Sequence, residues 1–177
     1  RKLIENNLVE AVLVLPRDLF YTTDISVTLW ILNKNKKTRT IEQNDKIKKY
    51  RDRSKEILFM DIRQMGIPFE KKYTQFSDDD IKLITETFHN WQQIDYKNTY
   101  KDTPEFCYNA SIDEIAKKDF SLVPSKYIEF INHDKNIDFD EKMTMLQTEF
   151  AELLKKEENS KSELLNVFKE LGYEIKL

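Results

Sequence analysis

Apolar residues fall along this chain in three short runs and several spaced stripes, separated by polar or basic stretches. Val9 to Leu15 (VEAVLVL) is a mostly continuous apolar run, the pattern of a strand buried on both faces, as in the parallel sheet of an α/β protein. Pro16 ends it. Ser26 to Asn33 (SVTLWILN), β-branched and aromatic, predicts a second strand, and Glu56 to Asp61 (EILFMD) a third. Between them, Lys34 to Lys55 has no apolar pattern beyond Ile41, Ile47 and Tyr50, which predicts a loop or a marginal helix. Ser77-Asp78-Asp79-Asp80 places a capping residue and three acids where a helix dipole favours negative charge. Ile81, Ile84, Phe88 and Trp91 follow at helical spacing. A polar connection from Asp95 to Pro104 leads to a second capping box, Ser111-Ile112-Asp113-Glu114, which opens a short helix that stops before Phe120.

The C-terminal third has a different period. Phe139, Met143, Leu146, Phe150 and Leu153 follow one another at steps of 4, 3, 4 and 3, the seam of a coiled coil rather than the face of a globular helix. A break is expected at Asn159, and the capping box Ser160-Lys161-Ser162-Glu163 predicts a new helix with Leu164, Phe168 and Leu171 on one side and Gly172 at its end. The reading is an α/β body over residues 1–133 followed by a helical hairpin over 134–177, with the boundary near Asn132 to Asn136. The seam can pack within the hairpin, on the body or against another chain. Its length beyond a partner helix favours another chain.

Composition narrows the possible functions. The 177 residues are 40% hydrophobic and 34% charged, and no apolar run approaches the roughly 20 residues a bilayer span needs. The single cysteine, Cys107, has no disulfide partner, which fits a reducing, cytoplasmic setting. Arg1 to Leu8 reads as the last turns of an amphipathic helix and the chain starts without methionine, so a longer parent is expected. The net charge of −3 argues against an autonomous nucleic-acid binder, yet Lys34 to Lys55 holds ten basic residues against three acids. That segment is either a solvated insertion or an arm that contacts phosphates.

The usual catalytic groupings are missing. His89 and His133 lie in different elements without ligands at metal spacing, and no metal site is expected. The acids at 78–80 and at Glu157-Glu158 are explained by a helix start and a solvated face. Only two glycines occur, Gly66 and Gly172, so no glycine-rich turn is available to hold a nucleoside cofactor.

The order of motifs says more than any one of them. "LVEAVLVLPRDLFYTTDISVTLWILNKNK", "EILFMDIRQMG", "FSDDDIKLITETFHNW", "FCYNASIDEIAKKDFSLVPSKYI" and a closing "LGYE" succeed one another from Arg1 to Glu174. This series closely resembles the C-terminal part of the modification (M) subunit of type I restriction-modification systems, an adenine-specific DNA methyltransferase. The resemblance implies the terminal strands and helices of a Rossmann-like, methyltransferase-type mixed sheet, with the helical hairpin after them. It implies a parent that uses S-adenosylmethionine, and double-stranded DNA, a specificity subunit, a second modification subunit and a restriction subunit as partners. The family's Asn-Pro-Pro-aromatic motif is absent from this sequence, so the piece alone is expected to bind no cofactor and to be inactive.

Within the resemblance, Phe20 stands where related adenine methyltransferases carry the aromatic residue that stacks on a flipped target base, with Tyr21 the second candidate. The alternative is that both rings only pack their loop onto the sheet edge. Asp24 departs from the family, which often has glycine there. Lys34, Lys36, Lys37 and Arg39 are the expected phosphate contacts, positioning DNA without reading its sequence. Phe139, Met143, Leu146, Phe150 and Leu153 are the expected docking residues toward the specificity subunit. Two rivals are a non-enzymatic adaptor that uses the hairpin to bind a partner protein, and a single-chain restriction-methylation enzyme with the same late motifs.

Overall fold

A computed structural model describes residues 1–43, 46–70, 72–131 and 138–173. The chain divides into two compact units, Arg1–Ile131 and Asn132–Leu177. The expected boundary residues 132–136, His133 among them, fall outside the described residues.

In the first unit a mixed four-stranded sheet has the order β2-β1-β5-β8. The helix α1 (Lys2–Glu5) leads into β1 (Val9–Val14), which pairs antiparallel with β2 (Thr28–Leu32) and parallel with β5 (Glu56–Asp61); β5 pairs antiparallel with β8 (Cys107–Ser111). Successive side chains of a strand point to opposite faces, and both faces of β1 and β5 are covered. On one side Val9, Val12, Ile57 and Phe59 pack with Ile4 of α1 and with Tyr127, whose ring stacks on Phe59 at 4.2 Å. On the other, Ala11, Leu13, Leu58 and Met60 pack against Trp91, with Ile84 and Phe88 beside it. The apolar runs are thus the central strands. β2 is an edge strand with Leu29, Trp30 and Leu32 about half exposed.

The helix α2 (Asp78–Gln92) starts at Ser77, whose Oγ accepts from the Asp80 amide at 3.1 Å while the Asp80 carboxylate accepts from the Ser77 amide at 2.9 Å. The Ser77 hydroxyl, donating to Asp80 Oδ2 at 2.7 Å, and then the Ser77 amide hold the Asp80 carboxyl below its ordinary pKa. Ser111 likewise caps α3 (Ile112–Lys117) by accepting from the Glu114 amide.

Two hairpins have no counterpart in the apolar pattern. The basic segment is loop at its two ends, but its middle is strand: β3 (Arg39–Gln43) and β4 (Lys46–Tyr50) form an antiparallel ribbon. Its base is tied to the end of α2, where the Arg51 amide donates to Gln92 O at 3.0 Å and the Ile94 amide to Lys49 O at 2.9 Å. A smaller hairpin joins β6 (Ile67–Phe69) to β7 (Tyr73–Gln75).

The second unit corrects the expected helical hairpin. Instead of two helices, its described residues form one, α4 (Phe139–Glu170), running through Asn159 and Ser160 without a break. At 32 residues it is about 48 Å long. Asn and Ser in a helix interior cost only about 0.7 kcal/mol or less relative to Ala, and no Gly or Pro interrupts the segment, so the Ser-x-x-Glu pattern stays interior. Gly172 does end the helix: at φ 80° it donates to Lys169 O while Tyr173 donates to Phe168 O, a Schellman closure.

Candidate functional site

Residues 15–27 leave the C-terminal end of β1, the end of a parallel pair at which α/β sheets bind their ligands. The loop is closed at its base by the Leu15 amide donating to Val27 O at 2.8 Å. Its tip is a tight turn in which the Thr23 amide donates to Phe20 O at 3.2 Å. Arg17 Nε donates to Asp24 O at 3.0 Å, and the backbone at Asp24 is not left-handed, so aspartate stands there without needing glycine's freedom.

The three consecutive apolar side chains Leu19, Phe20 and Tyr21 go different ways. Leu19 is partly buried and packs against the core cluster that contains Trp91. Tyr21, 71% exposed, meets Tyr73 of β7 edge-on at 4.7 Å. Phe20 is 44% exposed and has no ring partner among the described residues. The β6–β7 hairpin braces this loop from the side, since the Thr74 amide donates to Asp18 O at 2.9 Å. A cavity of about 320 Å³ lies between them, lined by Leu19, Tyr21, Phe69, Tyr73 and Phe76. Tyr73 and Phe69 have no signal in the sequence, because three-residue strands are too short to show a period.

Asp61, at the matching end of β5, is buried and holds the Arg63 guanidinium fork to fork, with Nε donating to Oδ1 at 2.9 Å and Nη2 to Oδ2 at 2.6 Å. These bonds raise the Arg63 pKa and hold the fork in one orientation. A larger cavity of about 570 Å³ opens here between Val14, Trp30, Arg63 and Phe120.

The described residues do not fit an S-adenosylmethionine site of the strand-glycine-helix kind. Gly66 comes after β5 but leads into β6, and a Cβ on it would sit 2.6 Å from Thr74 Cγ2, so it serves close packing of the small hairpin. Gly172 closes α4.

The basic segment divides into inside and outside. Lys36 is a correction: at 1% exposure it is no phosphate contact, and its Nζ donates to the carbonyls of Val9 at 2.8 Å and Glu56 at 2.6 Å. Burial, opposed by Glu10, lowers its pKa to about 8. Arg53 is fully buried as well, its Nε donating to Glu10 Oε1 at 2.8 Å and its Nη1 to Gln92 O at 3.3 Å. Gln92 Nε2 donates to the same Glu10 oxygen at 3.0 Å. Together they fasten the base of the ribbon to the start of β1. Lys34 and Lys37 remain exposed, and Arg39 stacks over the Tyr50 ring at 5.1 Å.

The five seam residues Phe139, Met143, Leu146, Phe150 and Leu153 all lie on α4 and are exposed, Phe139 the most at 72%. Because the helix is continuous, Leu164, Val167 and Leu171 continue the same 4-3 register after a polar gap at Glu157 and Ser160, and they too are exposed. Among the described residues no cluster of His, Cys, Asp and Glu could hold a metal, and no helix is long and apolar enough to cross a membrane. His89 is half buried against Tyr96, and burial lowers its pKa.

Residues 1–136 match the family model for N-6 DNA Methylase. The chain is 34% identical over 175 residues to the methylase subunit of the type I restriction enzyme HindI from Haemophilus influenzae, covering 98% of this chain and 35% of that protein. It is 26% identical over 173 residues to the MjaIX methylase subunit of Methanocaldococcus jannaschii, covering 98% of this chain and 28% of that one. A solved methyltransferase subunit of a type I restriction-modification system from Streptococcus thermophilus superposes with a TM-score of 0.55 at 22% identity, over 73% of this chain and 22% of its own, and so shares the fold. The chain thus spans about a third of the length of these curated relatives.

Proposed function

The chain belongs to the N-6 DNA methylase family, and on that premise we propose that it is the C-terminal part of the modification subunit of a type I restriction-modification system. In this reading the parent transfers a methyl group from S-adenosylmethionine to the N-6 amino group of adenine in duplex DNA. This piece contributes the terminal strands of a Rossmann-like sheet, an aromatic wall for the target base and a docking helix. The cofactor site and the Asn-Pro-Pro-aromatic motif belong to the rest of the parent, and this piece alone is inactive.

One observation carries the reading. Phe20 is a half-exposed ring at the tip of a braced loop beyond the C-terminal end of β1. An enzyme that modifies a base inside a duplex must extrude it, and an exposed aromatic face receives the extruded base by stacking. Tyr21, engaged with Tyr73, is the support, and Phe20 is the platform. The test is digestion of DNA to nucleosides after incubation with the full-length protein, its specificity subunit and S-adenosylmethionine. N6-methyladenine is the expected product. Its absence from DNA that the complex demonstrably binds contradicts the proposal.

The exposed stripe of α4 supports docking onto helices of the specificity subunit, in a complex with a second modification subunit and a restriction subunit. The two-residue change Leu146→Glu with Phe150→Glu puts charges into that seam and is expected to abolish co-elution with the specificity subunit. Neither residue is buried, so the circular dichroism of the full-length protein should be unchanged. Full co-elution of the variant would remove α4 from the interface. The same stripe would serve a non-enzymatic adaptor, which the nucleoside analysis excludes or supports. Lys34, Lys37 and Arg39 are retained as phosphate contacts, whereas Lys36 is not.

A further inference from the structure

The positions at which a coiled-coil seam stops being apolar carry information about its partner. On α4 the 4-3 register is apolar from Phe139 to Leu153 and again from Leu164 to Leu171, and between these stretches it passes through Glu157 and Ser160. Glu157 is therefore a seam residue, whereas Glu158 lies outside the seam. The register resumes in phase beyond the gap, so one surface runs across the acid rather than ending at it.

The chain itself does not neutralise this acid. Glu157 is exposed and forms no ion pair among the described residues, Lys161 one turn further on included. Any helix that covers the seam from Leu153 to Leu164 takes the Glu157 carboxylate out of water. A carboxylate desolvated without a partner is strongly unfavourable, so the covering surface has to supply a positive charge there. Ser160 is the smallest side chain of the seam and leaves room beside Glu157 for a long side chain from across the interface. A second copy of α4 does not meet this requirement. In parallel register Glu157 would face Glu157, and in the antiparallel register that overlaps the whole seam it would face Leu153, with Ser160 against Phe150. Either way the carboxylate is buried against like charge or hydrocarbon.

We propose that α4 pairs with a helix of the specificity subunit that carries an arginine or lysine within its own apolar stripe, and that this cation meets Glu157 and sets the register of the pair. The inference rests on the docking reading of α4 and adds to it the chemistry by which the seam selects its partner. A single polar position in an apolar seam fixes register at a cost in stability, and it penalises every partner that lacks the matching charge.

The test is the affinity of the full-length protein for its specificity subunit, measured by isothermal titration calorimetry at one salt concentration for the parent, Glu157→Leu and Glu157→Lys. Leucine completes the apolar seam. Against an apolar facing residue it would tighten binding. Against a cation it leaves that charge buried and unpaired, and affinity should fall about 30-fold or more, as when one member of a buried, hydrogen-bonded charge pair is truncated. Lysine adds repulsion and should weaken binding at least as much. Glu157 is exposed, so all three proteins should give the same circular dichroism, which separates loss of binding from loss of fold. A Glu157→Leu protein that binds as tightly as the parent, or more tightly, overturns the inference and leaves the docking of α4 in place. If the parent does not bind the specificity subunit, the docking reading falls and this inference with it. A parent that instead self-associates through the seam makes a second copy the occupant and overturns both.

Discussion

Phe20→Ala in the full-length enzyme is expected to lower kcat/KM for adenine methylation by about 5- to 150-fold, the equivalent of the ~1–3 kcal/mol that one aromatic–base stack contributes. The fold should not change. Phe20 is half exposed and its bond to Thr23 is made by backbone atoms, so alanine keeps the turn. Phe20→Trp should restore most of the rate, because stacking tolerates any large ring, whereas a residue needed only for packing would resist the larger side chain. Tyr21→Ala should cost less, its ring being edge-on to Tyr73 rather than free to receive a base. An alanine variant that methylates at the parental rate would return Phe20 to the role of a packing residue.

The second large effect concerns the body itself. Arg53→Ala leaves the Glu10 carboxylate buried with only the Gln92 amide as a hydrogen-bond donor among its described partners. Removing one partner of a buried ion pair costs about 3–5 kcal/mol, a large share of a typical domain's ~5–15 kcal/mol. Hydrogen exchange of the β1 amides in the full-length protein reads this directly, and protection should fall by more than about a hundredfold. The double change Glu10→Met with Arg53→Met should recover most of it, because a well-packed apolar pair carries no desolvation penalty. The existing pair does carry one: Glu10 Oε2 and Arg53 Nη2 lack hydrogen-bond partners. Unchanged protection in Arg53→Ala would mean that water reaches the pair.

The contrast between Glu10 and its neighbours explains which parts of the fold are legible from residue order. β1, β5 and α2 are readable because their stabilisation comes from apolar side chains whose period matches their geometry. The ribbon is held by other means: stacking of Arg39 on Tyr50, and an ion pair between residues 43 positions apart. Neither leaves a local pattern, so ten cations read as a solvated loop. Lys36 cannot be told from Lys37 by type, although one is buried and the other exposed. At Asn159 the signal is ambiguous in itself, since a capping box is compatible with a helix interior when no Gly or Pro forces a stop. The seam residues are legible because their register is the same whether the helix ends at Asn159 or runs on to Glu170. Phe20 is visible as an apolar loop residue, but its role comes from family resemblance. Tyr73, the ring that meets Tyr21, sits on a hairpin too short to be read.

The central claim is that the 15–27 loop receives the target base, and photo-crosslinking tests it most directly. A duplex with a photoreactive halogenated uracil in place of the target adenine is irradiated with the full-length complex, and the adduct is located by mass spectrometry of peptides. The account predicts an adduct on Phe20, lost in Phe20→Ala. An adduct confined to other segments of a complex that binds the duplex would contradict it.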